Sequence, residues 1–353
     1  MSKYRIGITQ GDPNGIGVEV ILKCFQEKFL FKHCTPILYA DRKIFSFWKK
    51  HLEFDNPRYN IITKPEDAIE NELNFINVDS NCFVEIGEPK EEAGKSAFMA
   101  LSQCVHDAKN GKLDAIVTAP LDKSTVNPEG MVFTGHTDYL ASEFEVEDYM
   151  MLMTCEEVTV GLVTTHIPLG EVANVLTKEK ILEKLEILQA SLINDFGITK
   201  PRIAVLGLNP HAGDSGVIGK EEQEIIIPAV NEARGKGIVA IGPYPSDGFF
   251  GSREHNNFDG VLAMYHDQGL IPFKYISGQN GVNYTAGLTV VRTSPDHGTA
   301  YDIAGKGIAQ EGSMRTSILT AIDILKKRSE ANELSKNPLP FAELKREKFR
   351  GDF

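Results

Sequence analysis

Cysteine is scarce in this chain and never paired: Cys24, Cys34, Cys82, Cys104 and Cys155 are scattered through 353 residues, with no Cys-x-x-Cys spacing. An odd, dispersed set excludes a disulfide framework and a thiolate metal site, leaving each thiol as a small buried hydrophobe in a reducing compartment. Long apolar runs are also missing, so no membrane span is expected. Met1-Ser2-Lys3-Tyr4-Arg5 enters a strand with no apolar leader, and a cytoplasmic location is expected. Basic residues are outnumbered, 37 Lys plus Arg against 49 Asp plus Glu, for a formal charge of −12. That balance gives no electrostatic footprint for nucleic acid or an anionic membrane. Cations should matter locally, at a site.

What is present is an ordinary globular composition, 42% hydrophobic and 24% charged, in a chain longer than one core usually serves. Strand signals at Tyr4–Thr9, Pro36–Ala40 and Asp114–Ala119 alternate with helix signals at Val18–Phe25, Ile44–Leu52 and Glu92–Lys109. This order predicts an α/β fold with a mainly parallel sheet flanked by helices. Lys178–Phe196 reads as a helix with an apolar stripe of Ile181, Leu185, Leu188, Leu192 and Phe196, capped by Thr177 and ended by Gly197. Asn56–Asn81 is polar with scattered prolines and reads as peripheral. Pro120, Pro128, Gly130 and Gly135 crowd a candidate domain change, and the charged stretch after Asn332 reads as a surface end piece.

Three histidines stand at strand-to-loop junctions: His166 in Thr164-Thr165-His166-Ile167-Pro168, His211 in Asn209-Pro210-His211-Ala212-Gly213, and His266 in Tyr265-His266-Asp267-Gln268-Gly269. Each follows an apolar run (Val158–Val163, Ile203–Leu208, Val261–Met264), which places it at a strand's carboxyl end, where open α/β sheets bind ligands. Three neutral imidazoles converging from separate strands can hold one divalent metal and leave coordination positions open.

Other stretches carry polar groups in suggestive order. Gln10-Gly11-Asp12-Pro13-Asn14-Gly15-Ile16-Gly17 is either an anion cradle or a tight turn in which Asp12 or Asn14 caps a helix; it is neither a dinucleotide fingerprint nor a P-loop. Thr134, His136 and Thr137 stand just before an apparent helix start and could hold part of a phosphorylated substrate; alternatively Thr137 or Asp138 caps that helix. Lys274, Asn283 and Arg292, on apparent strand and loop elements, could add an anion-binding fork and a point charge.

The loop from Thr293 to Gly307 is rich in small residues that let a ligand approach the backbone. Its His297-Gly298-Thr299-Ala300-Tyr301-Asp302-Ile303-Ala304-Gly305-Lys306 resembles the adenosine-binding loop of the isocitrate and isopropylmalate dehydrogenases, which bind NAD(P) without a G-x-G-x-x-G fingerprint. With Gly11–Gly17, Thr134–Thr137 and the three histidine segments, it makes the chain similar to the 4-hydroxythreonine-4-phosphate dehydrogenase (PdxA) family of vitamin B6 biosynthesis, over nearly its whole length.

That resemblance implies a two-domain isocitrate/isopropylmalate dehydrogenase-like fold with the active site in the interdomain cleft. One domain would comprise residues 1–133 plus 270–353 and the other residues 134–269. It implies metal ligands at His166, His211 and His266 and substrate contacts at His136, Thr137, Lys274, Asn283 and Arg292. His297, Gly298 and Asp302 would bind NAD or NADP. Asp247 and Asp267 would either transfer protons or orient a ligand histidine. It further implies one divalent metal (Zn, Co or Mg) per site, and a homodimer completing that site across its interface. The reaction implied is oxidation of 4-phosphooxy-L-threonine to a β-keto acid that loses CO2.

Three other readings share parts of this pattern. A dehydrogenase of threonate or erythronate 4-phosphate would use the same metal and phosphate residues and differ in reading a hydroxyl at C2. A phosphate acyltransferase shares the fold but needs neither the three histidines nor the loop from His297 to Lys306. A non-catalytic metal protein would fill the metal's coordination sphere with its own groups.

Overall fold

The computed structural model describes residues 3–126 and 133–336. In chain order the first part comprises β1 (Arg5–Thr9), α1 (Gly17–Cys24), β2 (Thr35–Ala40), α2 (Arg42–His51), β3 (Tyr59–Ile62), β4 (Leu73–Asn77), α3 (Glu91–Lys109) and β5 (Ala115–Thr118). Next come α4 (His136–Glu143), β6 (Met150–Thr154), β7 (Thr159–Leu162), α5 (Val172–Val175), α6 (Lys178–Asn194) and β8 (Arg202–Leu206). They are followed by α7 (Ile227–Gly235), β9 (Val239–Tyr244), α8 (Ser246–Gly251), β10 (Gly260–Ala263) and α9 (His266–Ser277). β11 (Val282–Ala286), β12 (Val291–Pro295) and α10 (Gly312–Lys336) complete the described chain.

All twelve strands lie in one sheet, in the order β3-β4-β2-β1-β5-β12-β11-β6-β7-β10-β8-β9. From β3 to β12 the pairing is parallel, and from β7 to β9 it is parallel again. β11 and β6 join these halves through three consecutive antiparallel ladders. The two parallel halves therefore run in opposite directions on either side of a central seam. β-branched and aliphatic runs such as Ile6–Ile8, Ile203–Val205 and Val261–Leu262 form these strands because both sheet faces are covered.

The apolar stripe of α6 is buried as the sequence predicts, with Ile181, Leu185, Leu188 and Leu192 inside and Thr177 accepting a bond from the Lys180 amide at 3.2 Å. Each buried leucine contributes about 1.5–3 kcal/mol. Gly260 lets this helix sit close to β10, since a Cβ there would meet the Leu192 side chain at 2.9 Å.

Two expectations need correction, at residues 332–336 and at the helix caps. The polar stretch Asn56–Asn81 lies at the periphery, and it forms β3 and β4 at one edge of the sheet. Its camouflage is Asn74, a fully buried residue of β4. Its Nδ2 donates to the carbonyls of Pro36, Ile69 and Glu72, and its Oδ1 accepts from the Ile69 amide. Residues 332–336 continue helix α10 instead of forming an end piece. Pro338 and Pro340, like Pro128 and Gly130, fall outside the described residues. Finally, neither Asp12 nor Asn14 caps α1, and neither Thr137 nor Asp138 caps α4; no side chain does so at either N-terminus.

Replacing Asn74 by Ala strands these backbone groups in the interior. It should lower the denaturant midpoint by an amount worth about 1–3 kcal/mol with an unchanged m-value. An unaltered midpoint would show that β4 does not depend on this side chain.

Candidate active site

A cavity of about 610 Å³ opens over the antiparallel seam, lined by residues of β5, β6, β7, β11, β12, α4 and α9. Its wall includes every expected substrate residue, His136, Thr137, Lys274, Asn283 and Arg292, together with His166, His266, His297 and Gly298. Lys274 sits on helix α9, not on the strand or loop its sequence context indicates. His211, Asp247, Asp267 and Asp302 are exposed and are not part of that wall.

Arg292 sets the electrostatics. It is 2% exposed in the middle of β12, and its Nε and Nη2 donate to the Thr118 hydroxyl at 3.2 and 2.7 Å while Nη1 donates to Thr285 at 3.2 Å. No carboxylate pairs with it among the described residues. Burial pulls its pKa down to about 9, still high enough to keep the charge at neutral pH. A guanidinium has five N–H donors, so two remain for a ligand. Next to it is His136, whose pKa burial lowers first and the charges of Arg292 and Lys123 lower further. A neutral imidazole results, able to donate one hydrogen bond without adding charge.

Lys123, Lys180 and Lys184 also line the cavity, and sequence reasoning missed all three because lysines are usually solvated. Lys123 packs against Gly135, where a Cβ would come within 3.1 Å of its Nζ; Gly135, at φ +140, leaves room for that ammonium. An acidic protein thus concentrates cations in one concavity.

The histidine loops are tied to each other rather than independent. β7, β10 and β8 are adjacent and parallel, so their carboxyl ends share one edge. Thr164 donates to the Met264 carbonyl at 2.7 Å, joining the loops of His166 and His266. Buried Gln268 accepts from the Met264 amide and donates to the Gly207 carbonyl and the Ser246 hydroxyl, bridging three strand ends. Glu222, also buried, accepts from the amides of Leu208 and Asn209.

The rings of His166 and His266 are 5.8 Å apart. Burial, then the charges of Lys123 and His266, lowers the His166 pKa, so its ring is neutral as a metal ligand requires. His266 Nδ1 is bonded to Asp267 Oδ1 at 2.7 Å, which leaves Nε2 free, the atom that would face a metal in a carboxylate–histidine–metal arrangement. His211 stands apart from this pair. From His211 to Ser215 all five residues have left-handed φ values between 42° and 77°, and among the described residues no three acidic, histidine or cysteine side chains are gathered as ligands. Two of the three expected ligands therefore fit a divalent metal as they stand.

The loop that the resemblance assigns to a dinucleotide, and β11 beside it, each hold an unpartnered polar atom. His297 Nε2 is buried without a partner while Nδ1 faces the Gly298 carbonyl at 3.0 Å, and Asn283 Oδ1 is likewise buried and unmatched among the described residues. The first Gly-rich loop does not form an anion cradle. Its amides at Gln10, Asp12, Asn14, Gly15 and Ile16 all donate to protein oxygens.

The model of the family described as "Pyridoxal phosphate biosynthetic protein PdxA" matches residues 32–321. The 4-hydroxythreonine-4-phosphate dehydrogenase of Bacteroides thetaiotaomicron is 50% identical over 340 residues, which cover 96% of this chain and 93% of that one. A protein of Oceanobacillus iheyensis, named provisionally as a D-threonate 4-phosphate dehydrogenase, is 39% identical and covers 91% of this chain and 98% of its own. The crystal structure of 4-hydroxythreonine-4-phosphate dehydrogenase from Klebsiella pneumoniae superposes with a TM-score of 0.80 at 36% identity, covering 92% of this chain and all of that one. With its mixed α/β sheet and this match over most of its length, the chain belongs to the PdxA family of oxidoreductases.

Proposed function

We propose that the protein oxidises 4-phosphooxy-L-threonine with NAD or NADP and a divalent metal, giving a β-keto acid that decarboxylates to 3-amino-2-oxopropyl phosphate for pyridoxal 5'-phosphate synthesis. The observation that carries this reading is Arg292, a buried cation with no carboxylate partner among the described residues, on the wall of a cavity that also holds two paired imidazoles. A phosphate dianion supplies the missing counter-charge, and the two free guanidinium N–H groups hold it in a fixed orientation. His136, Thr137 and the α4 amides donate from the other side, with Lys274 adding a point charge.

His166 and His266 would hold the metal, with His211 joining them from its left-handed turn, and Asp267 keeps the His266 ring oriented. A divalent metal held there would supply Lewis-acid polarisation of the substrate hydroxyl and of the ketone that takes up the electron pair of the C–C bond as the carboxylate leaves as CO2. His297, Gly298 and Asp302 would hold the dinucleotide, whose nicotinamide accepts the hydride. Asp247 is exposed on α8 next to Ser246, which Gln268 ties to the histidine loops, and would reach the site only from there.

Two structural inferences accompany this reading. The domain division that the resemblance implies, residues 1–133 plus 270–353 against residues 134–269, would put its boundary between β11 and β6, below the cavity. A homodimer completes the site: Ile271 and Tyr275, one turn apart on α9 and flanking Lys274, are 66% and 90% exposed, and Leu169 and Val217 expose apolar surface just beyond His166 and His211. Such a rim around an active site marks a protein–protein contact. Threonate 4-phosphate is the second candidate substrate, favoured by the Oceanobacillus relative.

Reduction of NAD and NADP should be followed with 4-phosphooxy-L-threonine beside threonate and erythronate 4-phosphates. The amino acid should be turned over fastest; preference for a hydroxy acid would transfer the protein to sugar-acid oxidation with the mechanism intact. EDTA should abolish turnover and a divalent metal restore it, whereas full activity in EDTA would eliminate the metal. Arg292→Met should raise the substrate KM roughly 100-fold and leave dinucleotide affinity alone. Because it removes an uncompensated buried charge, its Tm should be unchanged or higher; equal weakening of both ligands would refute the phosphate role. Ile271→Asp combined with Tyr275→Asp should yield an inactive monomer in light scattering, and an active monomer would contradict the shared site.

A further inference from the structure

The first Gly-rich loop is a motif that the substrate cavity does not explain. Its amides face inward, onto Tyr39, Pro120 and Asp12 as well as onto the loop after β12, and two contacts tie it to that loop. The Ile16 amide donates to the Thr299 carbonyl at 2.9 Å, and Gly15 permits that approach, because a Cβ there would sit 2.7 Å from the same oxygen. Tyr301 donates its hydroxyl to Asp12 Oδ2 at 2.8 Å, while Asp12 Oδ1 accepts from the Asn14 amide at 2.8 Å. The far end of the loop is held by α1. Buried Glu19 accepts from the Ala309 amide at 3.0 Å, and Lys23, paired with Glu19 at 2.9 Å, donates to the Gly307 carbonyl.

Asp12 is fully buried. Burying a carboxylate carries a desolvation cost that only its hydrogen bonds offset. Burial is also the main reason its pKa is raised, with nearby Asp122 adding to the shift. The arrangement fixes the backbone of residues 299–303 at the one place where a side-chain hydroxyl reaches across from that loop to β1's end. We infer that Asp12 and Tyr301 are a positioning pair for the dinucleotide: they hold the His297–Asp302 loop in its binding conformation without touching the ligand. This rests on the reading of that loop as nucleotide-binding.

The pair is tested by titrating NADH and NADPH, followed by nucleotide fluorescence, into the wild type and the Tyr301→Phe, Asp12→Asn, Asp12→Ala and His297→Ala variants. Loss of one charge-assisted hydrogen bond should raise the dissociation constant about five- to tenfold in Tyr301→Phe. The KM for the phosphorylated substrate should stay put, and kcat at saturating dinucleotide should fall no more than about twofold. Asp12→Asn retains an acceptor for the tyrosine and should keep most of the affinity. Asp12→Ala with Tyr301→Phe should be no worse than either change alone, as expected for one shared interaction. Should Asp12→Ala fail to fold, Tyr301→Phe decides alone. Unchanged nucleotide affinity in Tyr301→Phe, with His297→Ala impaired, overturns the pairing only. Unchanged affinity in His297→Ala removes the nucleotide-loop reading and the inference with it. A Tyr301→Phe loss that falls equally on nucleotide and substrate, in step with Tm, reduces the contact to general stability and also overturns it.

Discussion

A buried guanidinium held, among the described residues, by threonine hydroxyls alone is the constraint around which the site is organised. Taking Arg292 out of water costs free energy that Thr118 and Thr285 offset only in part, since neither brings a negative charge. The fold tolerates this because β12 lies in the middle of a twelve-stranded sheet, where packing on both faces leaves the side chain no route to solvent except the cavity. Beside it, burial first and then the charges of Arg292 and Lys123 push the His136 pKa down, and Gly135 leaves room for the Lys123 ammonium. An anion on the cavity side would supply the counter-charge that the threonine hydroxyls lack.

The histidine loops obey a different constraint, which is register. Three adjacent parallel strands end at one edge, but strand ends alone would leave their loops free to drift by ångströms. Thr164 and Gln268 remove that freedom by bonding one loop's side chain to another loop's backbone, and Glu222 ties the loop after β8 to itself. His211 is held otherwise, by five consecutive residues in a left-handed turn that costs on the order of 1 kcal/mol per non-glycine residue. Glu222, anchored beneath Leu208 and Asn209, supplies part of the opposing stabilisation.

Most strands and helices were legible because their apolar periodicity survives burial on both faces. The β7, β10 and β8 runs stand within one or two residues of their expected limits, and the α6 stripe faces inward as read. The strands β3 and β4 escaped because Asn74 makes a buried strand look polar. The histidine junctions were legible, as was their sharing of one sheet edge. What was hidden depends on contacts between residues far apart in sequence: the Gln268 bridge, the approach of Lys123 to Gly135, and the closure of the first loop on Thr299 and Tyr301. The left-handed turn at His211 carries no marker beyond Gly213. Pro272 disguises the helix that carries Lys274, since proline rarely sits inside a helix, yet α9 runs through it.

The contrast between a net charge of −12 and a cavity crowded with cations has a kinetic consequence. At long range an anionic metabolite meets a repelling field, and only within roughly 10 Å of the mouth do the local cations dominate. Salt screens both, but the distant repulsion is lost at lower ionic strength than the short-range attraction inside a concave, low-dielectric wall. Encounter should therefore quicken as the first increments of salt are added and slow only later, giving the association rate a maximum at intermediate ionic strength instead of the monotonic fall seen when charge steers from afar.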